Sequence, residues 1–308
     1  MLKLLIKLMG PMVLTFVVTG TAFACNISDA NAIASAKHFC KKLGIKYTHE
    51  PWVSRNDYIW RTDNSEVKRI EFGEKGNYEI SMDVSCNNQE VVGFFNWEHD
   101  DQLRKKYKVS SITTKPRNWP PFLPENKAKE KIFSLAKKIG LPPDAKFAAL
   151  VVDNERGVVN GRWIRTVNGY TYDKDNIEIE IMAVDGEIFL YRKQYFGKPC
   201  PLELKVKKEE AIKEGWKQIE KLFKKVDWKK HKNDYNVKSA DLKIIQPNVL
   251  NGKLMKMYST ESRLAWVIQY GLNKRPDCKK LAEISYLQSI TISIDAGTNM
   301  LLGLAYSQ

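Results

Sequence analysis

Strict alternation of apolar and charged residues constrains a chain more than its composition does, because only a strand with one buried face satisfies it. The stretch Asn176 to Phe196, NIEIEIMAVDGEIFLYRKQYF, has this form. Ile177, Ile179 and Ile181 alternate with Glu178 and Glu180, Asp185-Gly186 interrupts, and Ile188 to Tyr191 return with high β-propensity. Asp-Gly tolerates the positive φ of a hairpin turn, so the segment is expected to be a β-hairpin. Two further segments have the same form. Tyr78 to Trp97 alternates Tyr78, Ile80 and Met82, turns at Asn87-Asn88 and returns through Val91, Val92, Phe94 and Phe95. Ile290 to Tyr306 alternates three isoleucines, turns around Asp295-Ala296-Gly297 and returns from Met300 to Leu304.

A helical stretch precedes each hairpin. The first, SDANAIASAKHFCKKLGI, has Ser28 or Asp29 as N-cap, an apolar stripe through Ile33, Ala36, Phe39, Cys40 and Leu43, and Gly44 as its stop. The second, PENKAKEKIFSLAKKIGL, carries Ala128, Ile132, Leu135, Ala136 and Ile139 and ends at Gly140. The third runs from about Lys207 to Lys225, with Ala211, Ile212, Trp216, Ile219 and Leu222 on its apolar side. Strand-like pieces fill the gaps: YIWRT (Tyr58 to Thr62), VKRIEF, GRWIRTVNGYTY and RLAWVIQYGL. The fold class is therefore α+β, three tandem repeats of one helix packed on an antiparallel β-meander. The expected boundaries are a leader at 1–24, units at 25–112, 126–200 and 201–308, and a proline-rich linker at 113–125.

The leader is read from MLKLLIKLMGPMVLTFVVTGTAFA, where Lys3 and Lys7 precede a short apolar core and Ala22-Phe23-Ala24 forms a signal-peptidase site. It predicts export to a periplasmic or extracellular compartment. Cys25 follows directly and is the lipidation candidate, although Ala22 stands where a lipoprotein leader carries Leu. Removing the leader takes away two lysines and no acid, so the formal charge falls from +14 to +12. Much of this excess lies in KVKKEEAIKEGWKQIEKLFKKVDWKKHK, where Lys and Glu interleave at helical spacing, as on a solvated helix face. An exported basic chain can meet anionic lipids, wall polymers or acidic proteins. No nucleic-acid motif is present.

An oxidising compartment makes disulfides of Cys40, Cys86, Cys200 and Cys278. Of the three connectivities, Cys40 with Cys86 and Cys200 with Cys278 keeps each bridge inside one unit. Catalytic, cofactor and metal residues are expected to be none: the four histidines His38, His49, His99 and His231 are scattered, and neither H-E-x-x-H nor G-x-S-x-G occurs. Glu98-His99-Asp100-Asp101 has ligand types but reads as a solvated loop without the spacing of a calcium site. Glu178 and Glu180 share a strand face through alternation alone. Trp119 and Phe122, in the rigid segment WPPF, either staple the first two units or offer a partner-binding surface. An exposed sheet edge of any unit could accept an extended peptide.

The segments LKVKKEEAIKEGWKQIEKL, GRWIRTVNGYTYDKDNIEIEIMAVDGEIFLY, LAWVIQYG and ITISIDAGTNMLLG together resemble the PepSY family, small secreted domains named after peptidase propeptides. The likeness covers roughly Asn126 to Gln308. In the first unit Asn87-Asn88 replace Asp-Gly. What the resemblance implies is a non-enzymatic fold that binds proteins, as an inhibitor, chaperone or regulator of a secreted peptidase, with no catalytic residues to carry over. The alternative is a structural envelope component that holds anionic polymers or lipid through its basic face.

Overall fold

A computed structural model of the chain describes residues 25, 27–54, 67–109, 119–195, 197–224, 228–250, 253–255, 259, 261–273 and 287–307. The leader at 1–24, the expected strand Tyr58 to Thr62 and Cys278 lie outside them. Helix α1 (Asp29–Leu43) starts where the Ser28 side chain accepts the Asn31 N–H and stops at left-handed Gly44. It is followed by β1 (Trp52–Ser54), β2 (Val67–Glu74), β3 (Asn77–Ser85), β4 (Val91–Asn96) and helix α2 (Trp97–Tyr107). Helix α3 (Glu125–Ile139) leads into β5 (Ala145–Asp153), β6 (Val158–Val167), β7 (Tyr170–Met182) and β8 (Ile188–Gln194). Helix α4 (Lys208–Leu222) and the single turn α5 (Trp228–His231) precede β9 (Tyr235–Ile245), the small β10 (Val249–Leu250) and β11 (Lys253–Leu254), and then β12 (Arg263–Leu272), β13 (Ser289–Asp295) and β14 (Leu301–Ser307). The protein is mixed α+β, with four helices longer than one turn and twelve strands in one sheet among the described residues.

The strand order is β1-β2-β3-β4-β8-β7-β9-β12-β13-β14, with β6 and then β5 extending from the other edge of β7. Strands β4 and β8 join antiparallel through Gly93↔Arg192, Phe94↔Tyr191 and Phe95↔Leu190. The eight strands from β1 to β5 therefore form one continuous surface. Strand β9 meets β7 in parallel through only two pairs, Thr171↔Lys243 and Tyr172↔Ile244.

The three hairpins close by one turn. In each, the first residue's N–H donates across to the sixth residue's carbonyl, and its own carbonyl accepts from the fifth: Ser85 with Glu90 and Gln89, Met182 with Glu187 and Gly186, Asp295 with Met300 and Asn299. The fifth residue is left-handed in all three, at φ 60, 80 and 60 for Gln89, Gly186 and Asn299. The loops are thus longer than two-residue turns, and in the last one Asn299, not Gly297, takes the positive φ. A two-residue turn does occur at Asn168-Gly169 between β6 and β7, both residues left-handed.

Helices α1 and α3 cover one face of the continuous sheet and share a core of Phe39, Cys40, Phe72, Phe94, Ile132, Ile177, Ile179 and Tyr191. Helix α4 covers a separate core of Ala211, Ile219, Ile268, Tyr270, Ile290 and Ile292. A polar junction lies between the two. The Arg165 guanidinium, stacked 4.2 Å over Tyr172, donates to Asp144, to Asp175 and to the Gly197 carbonyl at 2.6–3.0 Å. Asp175 in turn accepts from Gly197 N–H and from Gln246 Nε2.

Helix α2 is absent from the sequence reading, which takes Glu98-His99-Asp100-Asp101 as a loop. These four residues form its first turn, capped by Asn96 Oδ1 accepting the His99 N–H at 3.2 Å, and Leu103 is its only fully buried residue. A helix with one buried residue leaves no apolar period. Its support comes from pairs one turn apart, Arg104 with Asp100 and Lys105 with Asp101.

Candidate functional site

Strand β5, AKFAALVVD, is the long strand at the end of the continuous sheet, and among the described residues it pairs with β6 alone. Two prolines and an aspartate set its start, and the Asp153 side chain turns the chain by accepting the Arg156 N–H at 2.9 Å. Between these stops the run is almost wholly apolar. It is nevertheless solvated: Phe147, Val151 and Val152 are 37%, 55% and 43% exposed, and Phe133 on the neighbouring helix α3 is 40% exposed. Four of the large apolar side chains left in water thus converge on one edge.

The other ends of the sheet are managed differently. Along β14, Asn248 lies against the edge, its Oδ1 accepting the Leu304 N–H, its Nδ2 donating to the Leu304 carbonyl, and its backbone N–H donating to Leu302. Strand β1 has three residues. Proteins commonly blunt edges by such covering and shortening, and a long apolar edge left open templates another strand. One protective device does appear in β5. A bulge between Phe147 and Ala149 leaves Ala148 as the extra residue.

The two faces of β5 differ in chemistry. On the helix side Phe147 sits opposite Trp163 and Leu150 opposite Gly161, where no side chain larger than hydrogen fits because Ile132 and the Trp163 ring fill the space. Phe133, Phe147 and Trp163 form an aromatic trio with centroids 4.8–5.8 Å apart, and Lys129 Nζ lies 6.0 and 5.9 Å from the Phe133 and Phe147 rings. The opposite face carries Lys146, Ala149, Val151 and Asp153, paired with Ile164, Arg162, Asn160 and Val158. Along this edge lie main-chain groups without a strand partner among the described residues, with an aromatic step on one face and a mixed-charge rim on the other.

The residues singled out by sequence fall elsewhere. Trp119 is half-buried, its Nε1 donating to the Glu155 carbonyl at 3.3 Å, with Arg104 stacked over its ring at 5.7 Å. Phe122 packs into the core shared by α1 and α3, and the next residue, Leu123, donates its N–H to Ala183 at 2.8 Å. The segment 119–123 thus touches α2 through Arg104, the β5–β6 turn through Glu155 and the β7–β8 turn through Ala183. Cys86 is bonded to Cys25, with Cα atoms 5.1 Å apart, and not to Cys40. Cys40 faces into the core under α1, where burial pushes its thiol up to about 12. The bond engages the sulfur of Cys25, the lipidation candidate. Cys200 is a half-buried free thiol, and its expected partner Cys278 is outside the described residues.

Glu178 and Glu180 do not face each other as an acid and base. Glu178 binds Arg192, and Glu180 is held by Arg156 and Asn160. Asp185, read as a turn former, has that role through the Glu187 N–H and a second one, with Oδ2 3.0 Å from His99 Nε2. The pair raises His99 and lowers Asp185, the carboxylate's hydrogen bond outweighing burial for the imidazole. On the same sheet face Glu71 is buried against Ser81, and loss of solvent raises it to about 7. Among the described residues no three His, Cys, Asp or Glu side chains converge to hold a metal.

No family model matches the sequence, and no curated protein matches it. Among solved structures the chain is similar to the Bacillus megaterium YpeB C-terminal domain, at 13% identity and a TM-score of 0.43, over 92% of this chain and 98% of that one.

Proposed function

We propose that this chain is a non-enzymatic, exported, PepSY-like module of three helix-and-meander units that binds another protein by taking an extended segment of it along β5. The observation that carries the reading is a nine-residue, largely apolar strand that among the described residues is paired on one edge, on a sheet whose β14 edge is covered. Main-chain pairing supplies affinity in such complexes, and side-chain steps beside the edge supply selectivity. The shared turn geometry of the three hairpins supports the unit reading. The Cys25–Cys86 bond is the chemistry of an oxidising compartment. A partner that presents extended chain, such as a secreted peptidase or its propeptide, suits the edge. The polymer-binding alternative has less in its favour, since α4 interleaves its lysines with glutamates and Lys217 and Lys232 pair with Glu214 and Glu220.

The test pans the mature chain, residues 25–308, against a library of linear peptides at physiological salt and maps bound peptides by amide exchange. The expected result is protection of the β5 amides and loss of binding in Val151→Lys, a substitution at a 55% exposed position that charges the edge without touching the core. Enrichment of no peptide, or of peptides that protect other strands, overturns the reading. Binding that fades steeply with added salt would instead favour the polymer alternative.

A further inference from the structure

We infer that the β5 edge also takes a second copy of this chain, so that a two-fold dimer built by antiparallel β5–β5 pairing covers the edge until a foreign strand displaces it. The inference deepens the protein-binding reading above and rests on the same edge.

The argument is one of register. Strand β5 has two faces once its bulge is allowed for: Phe147, Leu150 and Val152 lie opposite Trp163, Gly161 and Val159, on the helix side, and Lys146, Ala149, Val151 and Asp153 lie opposite Ile164, Arg162, Asn160 and Val158, on the other. In an antiparallel pair, residues directly opposite share a face. Placing Leu150 on the two-fold axis, opposite its own counterpart, sets Ala149 against Val151, Phe147 against Val152 and Lys146 against Asp153, with the bulged Ala148 of each copy left out. Every pair then joins residues of the same face. No apolar residue meets a charge, and each end closes with a lysine opposite an aspartate. A slip of one residue puts each side chain against the wrong face. The strand is thus complementary to itself in polarity and charge.

The charged ends are available for this. Asp153 uses Oδ1 on the Arg156 N–H and shares the field of the Arg156 guanidinium, which Glu180 also holds, and among the described residues Lys146 reaches the Pro143 carbonyl, at 3.2 Å. The exposed Phe133 and Phe147 stand beside the strand on the helix side and would extend the apolar contact past the edge itself. A self-paired edge also explains how an apolar strand of this length is kept in an exported protein, since pairing removes the exposed template.

Sedimentation of the mature chain over a range of concentrations tests the inference. The expected result is a reversible dimer in the wild type. Lys146→Asp, which opposes two carboxylates at both ends, should weaken the dimer about tenfold or more. Combining it with Asp153→Lys should restore dimerisation. Because Asp153 also holds the turn, a second readout avoids it: Leu150→Cys should give a disulfide-linked dimer under mild oxidation, whereas Phe147→Cys, whose opposite is Val152, should not. A wild type that stays monomeric throughout overturns the inference, as does a dimer indifferent to Lys146→Asp that fails to crosslink through position 150. A monomer that still binds peptides along β5 sinks the dimer and leaves the protein-binding reading. A charge-sensitive dimer that takes no peptide sinks that reading and leaves the dimer.

Discussion

The stretch of α1 and β1–β4, the stretch of α3 and β5–β8, and the stretch of α4 and β9–β14 are joined to the molecule in different ways. In the first two, β4 pairs with β8, α1 lies beside α3, with Lys42 Nζ reaching the Ile139 carbonyl at 3.1 Å, and the two helices bury a common core. The third keeps its own core under α4 and is attached by two parallel pairs, a small apolar cluster around Tyr172, Ile244 and Leu264, and the Arg165–Asp175 junction. Fusion therefore depends on which strand edges meet. Where a sheet continues through three antiparallel pairs, the helices beneath are brought side by side and their apolar faces merge. Where it continues through two, each side completes its core alone and polar groups fill the seam.

The largest test of this contrast is Asp175→Ala. Asp175 is 1% exposed, and its removal leaves Arg165 with Asp144 as its carboxylate and takes the acceptor from the Gly197 N–H and Gln246, at a cost of about 3 kcal/mol or more from several lost hydrogen bonds. The loss should fall on the seam. Calorimetry is expected to show the part from Lys208 onward melting separately from the part before it, and a single unshifted transition would show that the junction does not couple the two. Next comes reduction of Cys25–Cys86, which opens a loop of 61 residues and removes about 4 kcal/mol on the chain-entropy account. It should speed amide exchange in α1 and β1–β4 and leave β12–β14 unchanged. Equal loosening in both places would contradict independent cores.

Two smaller tests use pH. Glu71 is raised to about 7 by burial, so the folded state holds its proton more tightly than the unfolded chain does. Its contribution is favourable below the unfolded value near 4.5 and is lost as pH rises through about 7. Glu71→Gln, which keeps a neutral group there, should stabilise by on the order of 1–3 kcal/mol at pH 8 and little at pH 4.5. Equal effects at both would refute the burial argument. The smallest effect is at His99, which ties α2 to the β7–β8 turn through Asp185. Its folded value is raised, so its stabilisation is present below about 6.5 and fades as pH rises through the folded value. His99→Gln should cost at most about 1 kcal/mol at pH 5.5 and nothing at pH 8.5, read from melting temperatures across that range.

The hairpins at Asn176, Tyr78 and Ile290 and the helices ending at Gly44 and Gly140 are legible because period and cap lie within a few residues of each other. Strand β5 goes unassigned in the sequence reading. Its FAALVV run is a short continuous apolar segment between Pro142-Pro143-Asp144 and Asn154-Glu155-Arg156-Gly157, a pattern that fits a strand but gives no alternation to recognise it by. The partner of Cys86 is likewise not legible, since loop entropy favours neither Cys25 nor Cys40 decisively and only burial of Cys40 separates them.

By itself the sequence determined the α+β class, the places of the three hairpins and the inward faces of α1, α3, α4 and the alternating strands, because these follow from side-chain period and backbone chirality over stretches of ten to twenty residues. Tertiary structure alone decided that β4 meets β8, that Asn248 covers β14 and that β5 ends the continuous sheet beside β6. Those outcomes depend on which edges face one another across a hundred residues of chain, and no local preference encodes that distance.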